Sequence, residues 1–113
     1  MDIYSFILKD DIENNPEIKE ALYENGAVKP LLTYSRYGME IYIRNLDSGY
    51  AVFVFNKEPD PRIIYIDFEE NCIVGSYSVR DVIKREDKGF ADKEVYSVVS
   101  SNGYHIFRLN KLK

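Results

Sequence analysis

The chain has 113 residues, 45% hydrophobic and 30% charged, with a formal net charge of −4. That is enough for one core burying about two-thirds of the unfolded surface, so a single domain over residues 1–113 is expected, and the balance excludes an intrinsically disordered chain. With 19 acidic residues against 15 basic ones, the composition also excludes the concentrated basic face of an ordinary nucleic-acid binder.

Met1-Asp2-Ile3 lacks the basic start of a secretory signal, and the apolar stretch Ile3 to Leu8 is too short for its hydrophobic region. No run approaches the roughly 20 apolar residues needed to span a bilayer. One cysteine, Cys72, allows no internal disulfide and fits a reducing compartment, so the expected location is the cytoplasm. Residues 3–8 are apolar on both alternating faces and read equally as a strand or a helix. Asn15 as N-cap, Pro16 at the first helical position and Gly26 as the stop predict a helix between them. Its apolar stripe is Ile18, Ala21 and Leu22, beside an acidic row of Glu17, Glu20 and Glu24.

From Leu31 the period becomes two. Met39, Ile41 and Ile43 alternate with Glu40, Tyr42 and Arg44, a half-buried strand. The turn residues Asn45 to Gly49 lead into Tyr50–Phe55, a deeply buried one. Glu58-Pro59-Asp60-Pro61 is a stiff connection. Ile63–Phe68 reads as a strand, Glu69-Glu70-Asn71 as a turn, and Cys72–Tyr77 as a short return strand with a buried thiol. Ser78 and Asp81 resemble a capping box, predicting a second short helix near 79–88, against a strand continuing from Tyr77. Asn102-Gly103, between Val95–Ser100 and Tyr104–Leu109, is the strongest hairpin signal. The fold class expected is therefore α+β: an antiparallel β-meander or curved sheet of five to seven strands packed on an N-terminal helix.

Catalytic chemistry is hard to find in this chain. The lone histidine, His105, shares a strand side with Phe107 and Leu109 and reads as structural, and nothing in the sequence brings it to Cys72. One His and one Cys cannot form a structural zinc site, and the six glycines make no phosphate loop. Asp67, Glu69 and Glu70 form an acidic turn that a hard cation could visit. Pro59-Asp60 with Glu86-Asp87-Lys88 resembles the Pro-Asp … Glu-x-Lys signature of a metal-dependent nuclease superfamily. The proline lock on Asp60 and the polar setting of Glu86–Lys88 speak against it. No metal or cofactor is called for, and no enzyme is expected.

Charge is uneven along the chain. Residues 1–25 hold seven acids against Lys9 and Lys19, whereas residues 71–113 hold eight bases against five acids. Eight of the ten tyrosines, Tyr34, Tyr37, Tyr42, Tyr50, Tyr65, Tyr77, Tyr96 and Tyr104, spread over nearly every predicted strand and suit a sticky face. In size, acidity and class the chain looks like bacterial immunity proteins of polymorphic, contact-dependent growth-inhibition toxins. That resemblance implies an inhibitory protein covering the basic cleft of a cognate toxin, a nuclease above all. Asp10, Asp11, Glu13, Glu17, Glu20 and Glu24, with Asp67, Glu69 and Glu70, are chosen on charge as the partner-binding residues. Phage anti-defence proteins share the profile. A small-molecule-binding or self-assembling sheet is the second reading, and a metal-dependent enzyme the third.

Overall fold

A computed structural model describes residues 3–24 and 29–112. Three short helices open the chain: α1 (Ile3–Phe6), α2 (Lys9–Asn14) and α3 (Pro16–Tyr23). Eight strands follow: β1 (Leu31–Arg36), β2 (Met39–Leu46), β3 (Gly49–Asn56), β4 (Arg62–Asp67), β5 (Tyr77–Asp81), β6 (Glu86–Ala91), β7 (Glu94–Val99) and β8 (Tyr104–Lys111). The expectation for α3 holds at its start, where the Asn15 side chain accepts the Glu17 N–H at 3.0 Å and Pro16 takes the first turn. The proposed stop at Gly26 lies outside the described residues.

The strands form a six-stranded sheet in the order β1-β2-β3-β8-β5-β6 and a two-stranded sheet, β4-β7, all neighbours antiparallel. The β1–β2 turn uses Tyr37 and Gly38, both at positive φ (53° and 74°), a pair of angles whose twist matches that of the flanking strands. β3 is buried on both faces, so its side chains feed two cores. Val52 and Val54 join Ile41, Ile43, Val79, Phe107 and Leu109 against Ile64, Ile66 and Val99 of the small sheet. On the other face, Ala51, Phe53 and Phe55 join Tyr42 and Ile106 against Ile18, Ala21 and Leu22 of α3 and Ile7. The large sheet is thus the middle layer, with the helices on one side and β4-β7 on the other. The buried Arg44 ties the helical layer down, its Nη1 donating to the Ala21 carbonyl at 3.3 Å near the negative end of α3.

Six expectations are corrected. Eight strands form where five to seven were expected, and β2 is buried on both faces, Tyr42 and Arg44 included, rather than half-buried. The meander stops at β3, because β8 and not β4 is its next neighbour. The turn forms over Ser101 and Asn102 rather than Asn102-Gly103, with Asn102 at φ 52°, the Gly103 N–H donating to Ser100 O at 3.0 Å and Gly103 not at positive φ, and β7 and β8 do not pair: the chain passes from the small sheet to the large one. Asn56 anchors that passage, its Nδ2 donating to the carbonyls of Val99 (3.0 Å) and Ser100 (3.2 Å). No helix forms over 79–88. Tyr77, Val79 and Asp81 alternate buried with Ser78 and Arg80, so the strand reading wins where β8 and β6 supply ladders on both sides. Finally, Cys72 is not in a strand: it sits exposed in a turn at φ 59°.

Candidate functional site

The acids chosen on charge are scattered by the fold and largely engaged within the molecule. Glu17 accepts from Arg80 Nε at 2.9 Å and Nη2 at 3.1 Å and from Arg85 Nε at 3.3 Å. This two-pronged Arg80 contact holds its carboxyl below the ordinary carboxylate range against the opposing effect of burial, with Arg85 adding to the depression. Glu24 accepts from Arg108 Nη2 at 2.6 Å. Asp11 takes the hydroxyl of Tyr104, and burial first, then that carboxylate, raises the phenol's pKa well above its usual value. Glu13 faces Lys9 one turn away at 3.9 Å, and Asp10 and Glu20 stand exposed on α2 and α3. Asp67 ends β4 and caps its own turn, Oδ1 accepting the N–H groups of Glu69 (2.9 Å) and Glu70 (3.3 Å). It lies opposite Glu94 across the β4-β7 ladder, on the far side of the molecule's layers from α3. The acids therefore form no single face for a basic partner. Among the described residues, no group of three or more His, Cys, Asp or Glu side chains is placed to hold a metal ion. Glu86 and Lys88 lie on the edge strand β6, 3.6 Å apart.

The best-formed site lies elsewhere. A cleft of about 430 Å³ opens where β7, the free edge of the small sheet, stands over β5 and β6 of the large one. Val79 and Phe107 belong to its apolar floor. Lys84, Lys88, Phe90 and residues 94–98 of β7 border it. Phe90 and Tyr96 are 74% and 64% exposed, a large ring area to leave in water. Asp81, 2% exposed, lines the cleft from β5. Its Oδ1 accepts the Lys84 N–H at 2.9 Å and its Oδ2 lies 2.8 Å from Nε2 of the buried His105. That last approach is close but off the hydrogen-bond direction, leaving Nε2 without an aligned partner. The His105 ring packs 5.0 Å from that of Phe107. Tyr96 continues onto the outer face of β4-β7, where its ring stands 5.8 Å from that of Tyr65 and Ile63 faces Val98.

In the larger hollow between the helices and the Ser100–Tyr104 turn, about 780 Å³, Asp11 is engaged by Tyr104 and Asn15 Nδ2 by the Val82 carbonyl at 2.8 Å. The cleft escaped sequence reasoning because its walls come from three separate segments. The one legible trace was β7, where Glu94, Tyr96 and Val98 alternate with inward residues.

Residues 37–109 match the model of the alpha galactosidase C-terminal beta sandwich domain. The chain belongs to this family. The six-stranded and two-stranded sheets are the two leaves of the sandwich. The same fold recurs in alpha-galactosidase I from Mortierella vinacea, with a TM-score of 0.81 at 14% identity over 90% of this chain and 28% of that one. It recurs in a β-L-arabinopyranosidase from Geobacillus stearothermophilus, with a TM-score of 0.75 at 13% identity over 88% of this chain and 23% of that one. An alpha-amylase from Geobacillus thermoleovorans shares it more loosely, with a TM-score of 0.59 at 14% identity over 77% and 19%. The sandwich domain thus spans less than a third of the length of these relatives. No curated protein matches the chain.

These findings overturn the resemblance to toxin immunity proteins, and with it the inhibitor function and the basic toxin partner. Among the described residues no helix is long and apolar enough to cross a membrane.

Proposed function

We propose that this chain is the non-catalytic sandwich module of a glycoside-cleaving enzyme, working beside a catalytic domain that acts on galactosides or sugars of like configuration. The observation that carries this reading is the match to a family of alpha-galactosidase C-terminal domains by a chain whose fold covers 90% of itself but only 28% of the Mortierella enzyme. The site chemistry agrees. Glycoside hydrolysis by the common route needs two carboxylates free to act as acid and as base or nucleophile. In the cleft, Asp81 is 2% exposed and its Oδ1 is committed to the Lys84 N–H.

Two measurements test this. The purified chain, given aryl α-D-galactopyranoside and aryl β-L-arabinopyranoside, should release no phenol above buffer; turnover that copurifies with the chain overturns the non-catalytic assignment. Cross-linking in cells that express the protein, followed by mass spectrometry, should recover peptides of a glycoside hydrolase domain, in the same polypeptide or another. Recovery of unrelated proteins alone overturns the association.

A further inference from the structure

We propose that the cleft beside β7 is a strand-addition groove: an extended peptide of a partner protein, alternating in polarity and carrying a carboxylate, pairs with the free edge of β7. The inference stands apart from the glycosidase-module reading, since it concerns backbone groups and no sugar.

The backbone of β7 comes first. In an antiparallel ladder, residues whose N–H and C=O bond the partner strand alternate with residues whose groups point the other way. The Phe68 N–H donates to Lys93 O at 2.9 Å, and the register pairs Ile66 with Val95 and Ile64 with Ser97. Val95 and Ser97 therefore bond β4, while Glu94, Tyr96 and Val98 turn their N–H and C=O groups to the open edge. All of residues 94–98 border the cleft of about 430 Å³, whereas the side chains of one strand face would supply only alternate ones. The wall is thus the edge itself, about 14 Å of it. The Tyr96 ring points elsewhere, to the outer face beside Tyr65, and Glu94 shares that face.

The other sheet edges are blunted and this one is not. β1 and β6 both carry register shifts, and β6 opens on Glu86, Asp87 and Lys88. β4 follows Pro59 and Pro61 and is bracketed by Arg62 and Asp67. The Asp67 carbonyl is moreover occupied by the N–H and Nδ2 of Asn71. Such devices keep an edge from pairing. β7 has a single charge, Glu94 at its end, and is otherwise Val95-Tyr96-Ser97-Val98-Val99, rich in residues that favour strands. There is also room. Packed sheets stand about 10 Å apart, and the small sheet has two strands against six. A third strand beside β7 would lie over β5 and β6, where Val79, Lys88 and Ala91 border the opening.

Charge sets the chemistry of the partner. Asp81 is 2% exposed and holds the Lys84 N–H, so it offers little to a ligand. Lys84, in the β5–β6 turn, and Lys88 border the opening. Lys88 has Glu86 at 3.6 Å, while among the described residues no ion pair engages Lys84. A peptide carboxylate over the β5–β6 turn gains that ammonium, and apolar residues on the peptide's inner side meet Val79 and Phe107.

The test is a titration of the ¹⁵N-labelled full chain with an acetylated nine-residue peptide that alternates valine and threonine around a central glutamate. Without peptide, the Tyr96 and Val98 amides should exchange with solvent faster than those of Val95 and Ser97. With it, saturable shifts should concentrate at residues 84, 88 and 94–98, and exchange at Tyr96 and Val98 should slow. N-methylation of one alternate set of peptide amides should weaken binding about ten-fold, the worth of one or two main-chain hydrogen bonds, and of the other set little. Tyr96→Pro, which removes an edge donor but no bond to β4, should weaken it similarly. Tyr96→Ala, which removes only the outward ring, should leave it unchanged, and lysine in place of the peptide glutamate should bind several-fold more weakly. Several results overturn the groove: equal protection of all four amides in the free chain, no saturable shift along β7 at millimolar peptide, or equal effects of the two N-methylated sets. Loss of binding in Tyr96→Ala also overturns it, by moving the contact to the outer face. Indifference to the charge swap overturns the preference for an acidic partner.

Discussion

Leu22→Ala asks whether the helical layer is part of the folded unit. Leu22 is fully buried between α3 and the large sheet, in the cluster that holds Phe53, Phe55 and Ile106. The truncation removes the equivalent of three buried carbon groups, about 2.5 kcal/mol of transfer free energy at ~0.8 kcal/mol each. A site walled by a sheet on one side collapses only partly, so a cavity cost is added and the total should reach about 3–4 kcal/mol. For a domain of this size that corresponds to a fall in Tm of roughly 12–16 °C. Urea unfolding followed by far-ultraviolet circular dichroism should show the loss as a lower midpoint at unchanged slope. Ile66→Ala, in the core between the two sheets, should cost a similar amount, and Leu8→Ala, 63% exposed, within about 0.5 kcal/mol of nothing. A Leu22→Ala loss below about 1 kcal/mol beside a full loss for Ile66→Ala would refute the three-layer account.

Gly49→Ala should destabilise far more than Gly89→Ala: a Cβ at Gly49 would meet Leu109 O at 1.9 Å with φ at 147°, whereas at Gly89 it meets nothing within 4 Å and bears only the backbone strain of φ 86°, about 1 kcal/mol. Calorimetric melting of the two variants checks this. Glu17 has a depressed folded pKa, so its contribution is present above the ordinary value of 4.5 and lost as pH falls below it. Glu17→Gln should therefore flatten the acid arm of the stability curve. Tyr42, Tyr77 and Tyr104 are raised above 10.0, chiefly by burial, so their contribution is present below pH 10.0 and lost as pH rises past it. Tyrosinate absorbance should show a late-titrating group that shrinks in Tyr104→Phe.

The strands most legible in the sequence were those whose polarity pattern matches their burial. β7 alternates, and β3, apolar throughout, read as a buried strand. β2 alternates in polarity but has Tyr42 and Arg44 buried as well, because the helical layer covers their face. The start of α3 was legible because Asn15 and Pro16 act locally. What local chemistry could not show was destination. Asn102-Gly103 specifies a turn, and a turn serves equally to close a hairpin or to change sheets; Asn56, more than 40 residues earlier in the chain, helps decide which. Val79, Val82 and Ile83 suit a helix face, and the ladders offered by β6 and β8 outweighed that preference. The acidic row misled for the same reason. Linear spacing shows Glu17 and Glu24 on one side of a helix, but not that the sheet brings Arg80 and Arg108 to meet them from 63 and 84 residues away. The cleft shares this difficulty, since Asp81 and residues 94–98 come to border one hollow only when the two sheets close.

The position of β8 sets a timetable for assembly. It lies between β3 and β5, so on a ribosome the β1–β3 hairpins can form while β5 and β6 have no ladder to join. The large sheet stays in two pieces until residues 104–111 clear the exit tunnel, with the apolar flanks of β3 and β5 unsatisfied in the interval. A nascent chain stalled just short of Tyr104 should therefore be the form most in need of chaperones.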